Sequence, residues 1–178
     1  VNHPSSIQKS EDSGITGPFL LLDSFDLASF DCGIDVLNVY LKKYALQNLK
    51  SGSSRTYVTL KDEQKVVGYL SLAFGLVEHA STPPRISQGL GRYPIPILVL
   101  TRLAVDKSCQ KIGLGRALVK HALLKALNAS EIAGLRAVVV HAKDDHAKNF
   151  YTKFGFSPSP LDPLHLFLLL KDIQQSLN

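Results

Sequence analysis

The chain has 178 residues, 45% hydrophobic and 20% charged. At about 150 residues per domain this is one globular domain with short additions, and the composition excludes disordered, collagen-like and fibrous chains. Twenty Lys and Arg against fifteen Asp and Glu leave a formal charge of +5, which permits a polyanionic partner without requiring one.

Residues 1–18 are rich in Ser, Gly, Asp and Pro and are expected to form a flexible arm, followed by a single domain over 19–170 and a tail over 171–178. Order is expected to begin at Phe19–Asp23. From Gly33 to Leu49 the residues Ile34, Leu37, Leu41, Tyr44 and Ala45 recur at helical spacing, with Asp31 as the N-cap and Lys42, Lys43 and Lys50 outside the apolar stripe. Arg55–Leu60 and Lys65–Phe74 are β-rich runs around Lys61–Gln64 and predict an antiparallel hairpin. A loop rich in breakers, from Pro83 to Pro96, then leads into a buried strand over Ile97–Val105, ended by Asp106. A helix is expected over Gly113–Asn128, with Leu114, Leu118, Ala122 and Ala126 stacked on one side. Beyond it come a strand at Leu135–Val140, a helix at Asp144–Phe154, an extended piece from Phe156 and a last strand at Leu164–Leu170. This order predicts a mixed α/β sheet with helices on both faces.

The longest apolar runs, such as Ile95–Leu100, fall far short of the roughly 18 residues of a membrane span. Only Cys32 and Cys109 are present, so reduced thiols in a cytoplasmic protein are expected. No His, Cys, Asp or Glu spacing matches a metal site.

The most informative stretch runs from Leu103 to Leu118: a strand, a loop containing Gly113 and Gly115, and a helix start. Backbone N–H groups at such a helix N-terminus converge and carry the positive end of the helix dipole, so they can hold a phosphate. Lys111 and Arg116 add charge at its rim. A dinucleotide fingerprint would need Gly or Ala where Leu118 stands, and a P-loop would need Gly-Lys-Ser/Thr, which is absent.

What remains is Gln110, Gly113 and Gly115 in the pattern Gln-x-x-Gly-x-Gly, and at a fitting distance Ala147, Phe150, Tyr151, Gly155 and Phe156. Together these resemble the GCN5-related N-acetyltransferases (GNAT). Phe30–Gly33, Leu37–Leu41, Gln47–Tyr57, Arg102–Asp106 and Ser157–Leu164 extend the likeness to the acetyltransferase toxins of bacterial toxin-antitoxin modules, over about Phe19–Leu170. The resemblance implies the GNAT fold, a mixed central sheet with a V-shaped splay between two parallel strands. It implies acetyl-coenzyme A (acetyl-CoA) as cofactor, held by Leu103, Ala104, Val105, Gln110, Lys111, Ile112, Gly113, Leu114, Gly115, Arg116, Asp144, Asn149 and Tyr151. Asp144 departs from the family, where many members have Asn.

The same resemblance implies acetylation of the α-amino group of an aminoacyl-tRNA, which blocks translation, with Tyr151 as the acid that protonates the leaving sulfur. It also implies a ribbon-helix-helix antitoxin partner and a homodimer. An α-amine is already partly neutral near pH 7 and needs little help from a base; Glu78, His79 and Asp106 are the polar candidates. The cations available to tRNA are Lys42, Lys43, Lys50, Arg55, Arg85, Arg92 and Arg102. The alternatives are a GNAT enzyme acting on a protein or small-molecule amine, and a binding protein without turnover.

Overall fold

Order begins earlier than the composition suggests. In the computed structural model, which describes residues 14–173, β1 (Ile15–Leu20) pairs antiparallel with β2 (Arg55–Lys61), from Ile15 opposite Lys61 to Leu20 opposite Tyr57. The expected arm is therefore shortened: the backbone of residues 15–18 belongs to this strand, and residues 1–13 lie outside the described residues. The expected tail also starts late, because Leu170–Asp172 forms a 3-10 turn and Ile173 is fully buried; residues 174–178 lie outside the described residues.

The single helix expected over Gly33–Leu49 is three consecutive pieces. α1 (Asp35–Val39) passes into a π turn at Tyr40–Tyr44 and then into α2 (Ala45–Ser51), which stops at Gly52 in the left-handed conformation. Tyr69 donates its phenol to the Leu37 carbonyl at 2.9 Å, at the place where α bonding gives way to π bonding. Asp31 is not the N-cap: that position is Ile34, with no side-chain bond, and Asp31 is engaged elsewhere. The expected hairpin is present, β2 joined to β3 (Lys65–Val77) by a turn in which Asp62 and Glu63 both take positive φ, 53° and 64°.

The breaker-rich loop contains a 3-10 turn at His79–Ser81 and a short α3 (Pro84–Ser87). It leads into β4 (Ile95–Val105), α4 (Leu114–Ser130), β5 (Ala137–His141), α5 (Asp145–Thr152), the two-residue β6 (Ser157–Pro158) and β7 (His165–Leu169). Among the described residues, seven strands form one sheet in the order β1-β2-β3-β4-β5-β7-β6. β4 and β5 are parallel from Ile97 opposite Ala137 to Leu100 opposite Val140, whereas β5 and β7 are antiparallel, so the sheet is mixed as expected.

The chain divides into two compact units. The first comprises the chain up to Leu70 together with Leu103–Leu118, and its core gathers Phe30, Tyr40, Leu41, Ala45, Val58, Val66 and Tyr69. Aromatic rings organise that core: Phe30 meets Tyr69 edge-on at 5.6 Å and Tyr40 stacks on Tyr69 at 6.1 Å. The second comprises Ser71–Arg102 and the chain from Val119, with Val77, Ile86, Ile95, Ile97, Ala137, Val139, Phe167 and Leu169 as a core cluster. Cys32 and Cys109 are both buried, and neither is in a disulfide.

Candidate active site

In the first unit the end of β4 turns sharply at Asp106. This buried carboxylate accepts the Ser108 N–H at 2.9 Å and the Ser108 hydroxyl at 2.6 Å on one oxygen, and the Asp31 N–H at 2.8 Å on the other. Burial pushes its pKa up, but these bonds and the charge of Lys65 outweigh that and hold it below the ordinary value. With both oxygens committed, Asp106 is a structural cap and not a free base.

The loop that follows carries Lys111 at φ 64° and Gly113 at φ 88°. Nothing lies within 4 Å of where a Gly113 Cβ would stand, so the backbone there opens onto free space. The first bond inside α4 runs from Ala117 N–H to the Gly113 carbonyl at 3.1 Å, so the amides of Leu114, Gly115 and Arg116 precede it and sit at the positive end of the helix. Leu114 is anchored against Val67 and Cys109, while Lys111, Ile112 and Arg116 are exposed. α4 can start so close to β3 because Gly68 has no side chain: a Cβ there would lie 2.7 Å from the Thr59 hydroxyl and 3.2 Å from Leu114. The loop thus presents an exposed backbone cradle with two cations, a fit for a phosphate ester.

Gln110 belongs to the motif, and its exposed side chain is spent on the backbone. Its amide nitrogen donates to the carbonyls of Val105 at 3.0 Å and Cys32 at 3.2 Å. Leu103 and Val105 are half-buried and Ala104 is buried at the end of β4. β5 ends at His141, level in register with Thr101, so β4 runs four residues further than its parallel neighbour.

In the second unit, Asp144 caps α5 by accepting the Ala147 N–H at 2.8 Å, the main cause of its lowered pKa. Asn149 is exposed on the same helix. Tyr151 is only 7% exposed, edge-on to Phe150 at 5.1 Å and to Phe156 at 5.8 Å. Its hydroxyl makes no hydrogen bond to another described residue, and burial raises the phenol well above its ordinary value of 10. Such a phenol stays protonated throughout the physiological range. His79 keeps its Nε2 enclosed with no hydrogen-bond partner among the described residues, and Glu78 is exposed.

The expected cations fall in both units. Lys42 and Lys43 on the π turn, Lys50 on α2 and Arg55 at the start of β2 are exposed in the first. In the second, Arg92 is exposed, Arg102 is half-buried, and Arg85 is held by both oxygens of Asp172 at 2.8 and 3.3 Å. That bidentate pair compensates the Arg85 charge. Sequence reasoning missed Arg136, whose guanidinium receives no motif signal yet donates to the carbonyls of Ile86 at 2.8 Å and Gln88 at 3.0 Å, tying down α3. It also misread Asp31, which folds back onto Lys107 at 2.7 Å. Among the described residues, no group of three or more His, Cys, Asp and Glu could hold a metal, and no helix is long and apolar enough to cross a membrane.

The family described as acetyltransferase (GNAT) domain matches residues 52–158, which include the Gly113 loop and Tyr151. The chain belongs to the GNAT acetyltransferases. One relative, the tRNA-acetylating toxin of Mycobacterium tuberculosis, is 44% identical over 160 residues, 90% of this chain and 95% of the relative. Among solved structures, AtaT complexed with acetyl-methionyl-tRNAfMet superposes with a TM-score of 0.82 at 30% identity, covering 92% of this chain and 98% of that one. A mutant AtaT toxin bound to the C-terminus of the antitoxin AtaR and to acetyl-CoA has a TM-score of 0.78 at 29% identity, covering 91% and 97%. The GNAT resemblance read from Gln110–Gly115 and Ala147–Phe156 is therefore correct, and so is the fold class expected from it.

Proposed function

We propose that this GNAT enzyme transfers an acetyl group from acetyl-CoA to the α-amino group of an aminoacyl-tRNA, and that it is a toxin held in check by a cognate antitoxin. The observation that carries the reading is the 44% identity, over nearly its whole length, to a relative that acetylates tRNA. The phosphate cradle at Gly113 and the uncommitted phenol of Tyr151 support it.

Acetyl-CoA supplies an activated acetyl thioester. The backbone amides at Gly113–Arg116, with Lys111 and Arg116, hold the pyrophosphate, and Leu103, Ala104 and Val105 take the pantetheine arm along the strand backbone. Gln110 contributes by fixing the carbonyls of Val105 and Cys32. Tyr151 gives its Oη proton to the departing sulfur, and its raised pKa keeps that proton in place at every working pH. An α-amine needs little help from a base, because a useful fraction is neutral near pH 7, and the proton its nitrogen sheds after attack on the thioester carbonyl passes to water. Lys42, Lys43, Lys50, Arg55, Arg92 and Arg102 supply charge for the tRNA backbone. A ribbon-helix-helix antitoxin, a homodimer and a cytoplasmic location complete the reading.

The test is acetyl transfer from labelled acetyl-CoA into a pool of aminoacylated tRNA, beside deacylated tRNA, a peptide mixture and polyamines. Label confined to charged tRNA is the expected result. Label in peptides or polyamines but not in tRNA leaves a GNAT enzyme with a different amine substrate, and coenzyme A binding without turnover leaves a binding protein.

A further inference from the structure

The turn before α1 and the start of the phosphate loop lie more than seventy residues apart in sequence, yet they are stitched together bond by bond. The Asp31 N–H reaches Asp106, and the Asp31 carbonyl accepts the Lys107 N–H at 2.9 Å. The Asp31 carboxylate takes Lys107 Nζ at 2.7 Å on one oxygen, and on the other the Gly33 N–H at 2.8 Å and the Asn38 amide at 2.9 Å. Asn38 in turn accepts the Cys32 N–H at 2.9 Å, and the Cys32 carbonyl accepts from Gln110. Gly33 is required at its place: its φ is 87°, and a Cβ would stand 3.0 Å from Lys107 Cε, in the path of the lysine stem.

We infer that Asp31 is a positioning residue whose ion pair with Lys107 sets the phosphate loop in its ligand-holding shape, so that it governs affinity for the pyrophosphate of acetyl-CoA and leaves the acetyl-transfer step alone. The inference rests on the acetyl-CoA reading of the Gly113 loop. Two observations separate it from a plain contribution to stability. The Lys107 and Asp31 side chains are 61% and 49% exposed, and ion pairs at such exposure add little to folding. Beyond Lys107 the loop holds two residues at positive φ, Lys111 and Gly113, a backbone that aims its amides only if its base is fixed. Drawn onto Asp31, Lys107 leaves the ligand side to Lys111 and Arg116.

The experiment compares Asp31→Ala, Asp31→Asn and Lys107→Ala, singly and as the Ala/Ala double variant. Affinity is measured by calorimetric titration with coenzyme A, and turnover with acetyl-CoA and with S-acetylpantetheine, which carries the thioester but no pyrophosphate. Asp31→Ala is expected to raise the coenzyme A Kd and the acetyl-CoA KM about tenfold with kcat within about twofold, and to leave kcat/KM for S-acetylpantetheine unchanged. Asp31→Asn keeps the acceptor for Gly33 and Asn38 and should restore part of the loss. The double variant should bind no worse than the weaker single one. An equal loss with S-acetylpantetheine, or an unchanged coenzyme A Kd, overturns the inference. If Asp31→Ala does not fold, Lys107→Ala decides, since it removes only an exposed ammonium and its stem. Should the parent protein bind no coenzyme A, the acetyl-CoA reading itself falls; should it bind coenzyme A with the same Kd as the variants, only the brace does.

Discussion

In the proposed mechanism the chemistry turns on Tyr151. Replacing it by Phe removes one oxygen from a packed aromatic site whose hydroxyl bonds to no other described residue, so Tyr151→Phe should keep the Tm and the coenzyme A Kd while lowering kcat about a hundredfold or more. Steady-state kinetics beside calorimetry check this, and unchanged turnover would remove Tyr151 from the mechanism. His121 makes a second prediction. Burial, then the charge of Lys125, lowers its pKa from 6.5 to about 4. A histidine that resists protonation when folded contributes its full stability above about pH 6.5 and loses it as pH falls toward 4, because the unfolded chain binds the proton first. The parent Tm should fall across that window more steeply than that of His121→Leu, and parallel curves would refute the assignment. At this scale the family was legible from Gly113 and Tyr151, because its motifs depend on residue type in a short local pattern. Asp31 was not: a polar residue before a helix reads as a cap, and its true partner, Lys107, is distant in sequence.

The elements were mostly legible from periodicity. β4, α4, β5 and α5 fall within about two residues of their expected positions, because each has an uninterrupted apolar pattern. The π turn was invisible, since a widened turn leaves apolar spacing almost intact and is supported from outside by Tyr69. α3 was hidden for the opposite reason, being four residues long and started by a proline. Arg136 binds the carbonyls at its end much as a cation caps a helix C-terminus. Arg136→Ala should cost about 1–3 kcal/mol and speed amide hydrogen exchange at Ile86 and Gln88, with α4 exchange unchanged. Exchange that is unaltered at both sites would show that α3 holds itself.

For the molecule as a whole, the mixed sheet was legible from the order of elements, but its division into two units was not, because packing between distant segments leaves no local mark. The +5 charge makes one global prediction: binding of charged tRNA should weaken steeply with salt. Replacing Lys42 and Lys43 by Gln should shallow the slope of log K against log salt by roughly one for each phosphate no longer neutralised. A slope that stays the same would remove these two lysines from the tRNA surface. The strand order has its own consequence for self-association. Among the described residues the outermost strands are β1 and β6, and each contains a proline, Pro18 and Pro158, which has no N–H to offer a neighbour. Both borders of the sheet are thereby blunted against the strand-on-strand stacking that seeds fibrils, a protection for a protein whose buried strands are as apolar as Ala137–Val140.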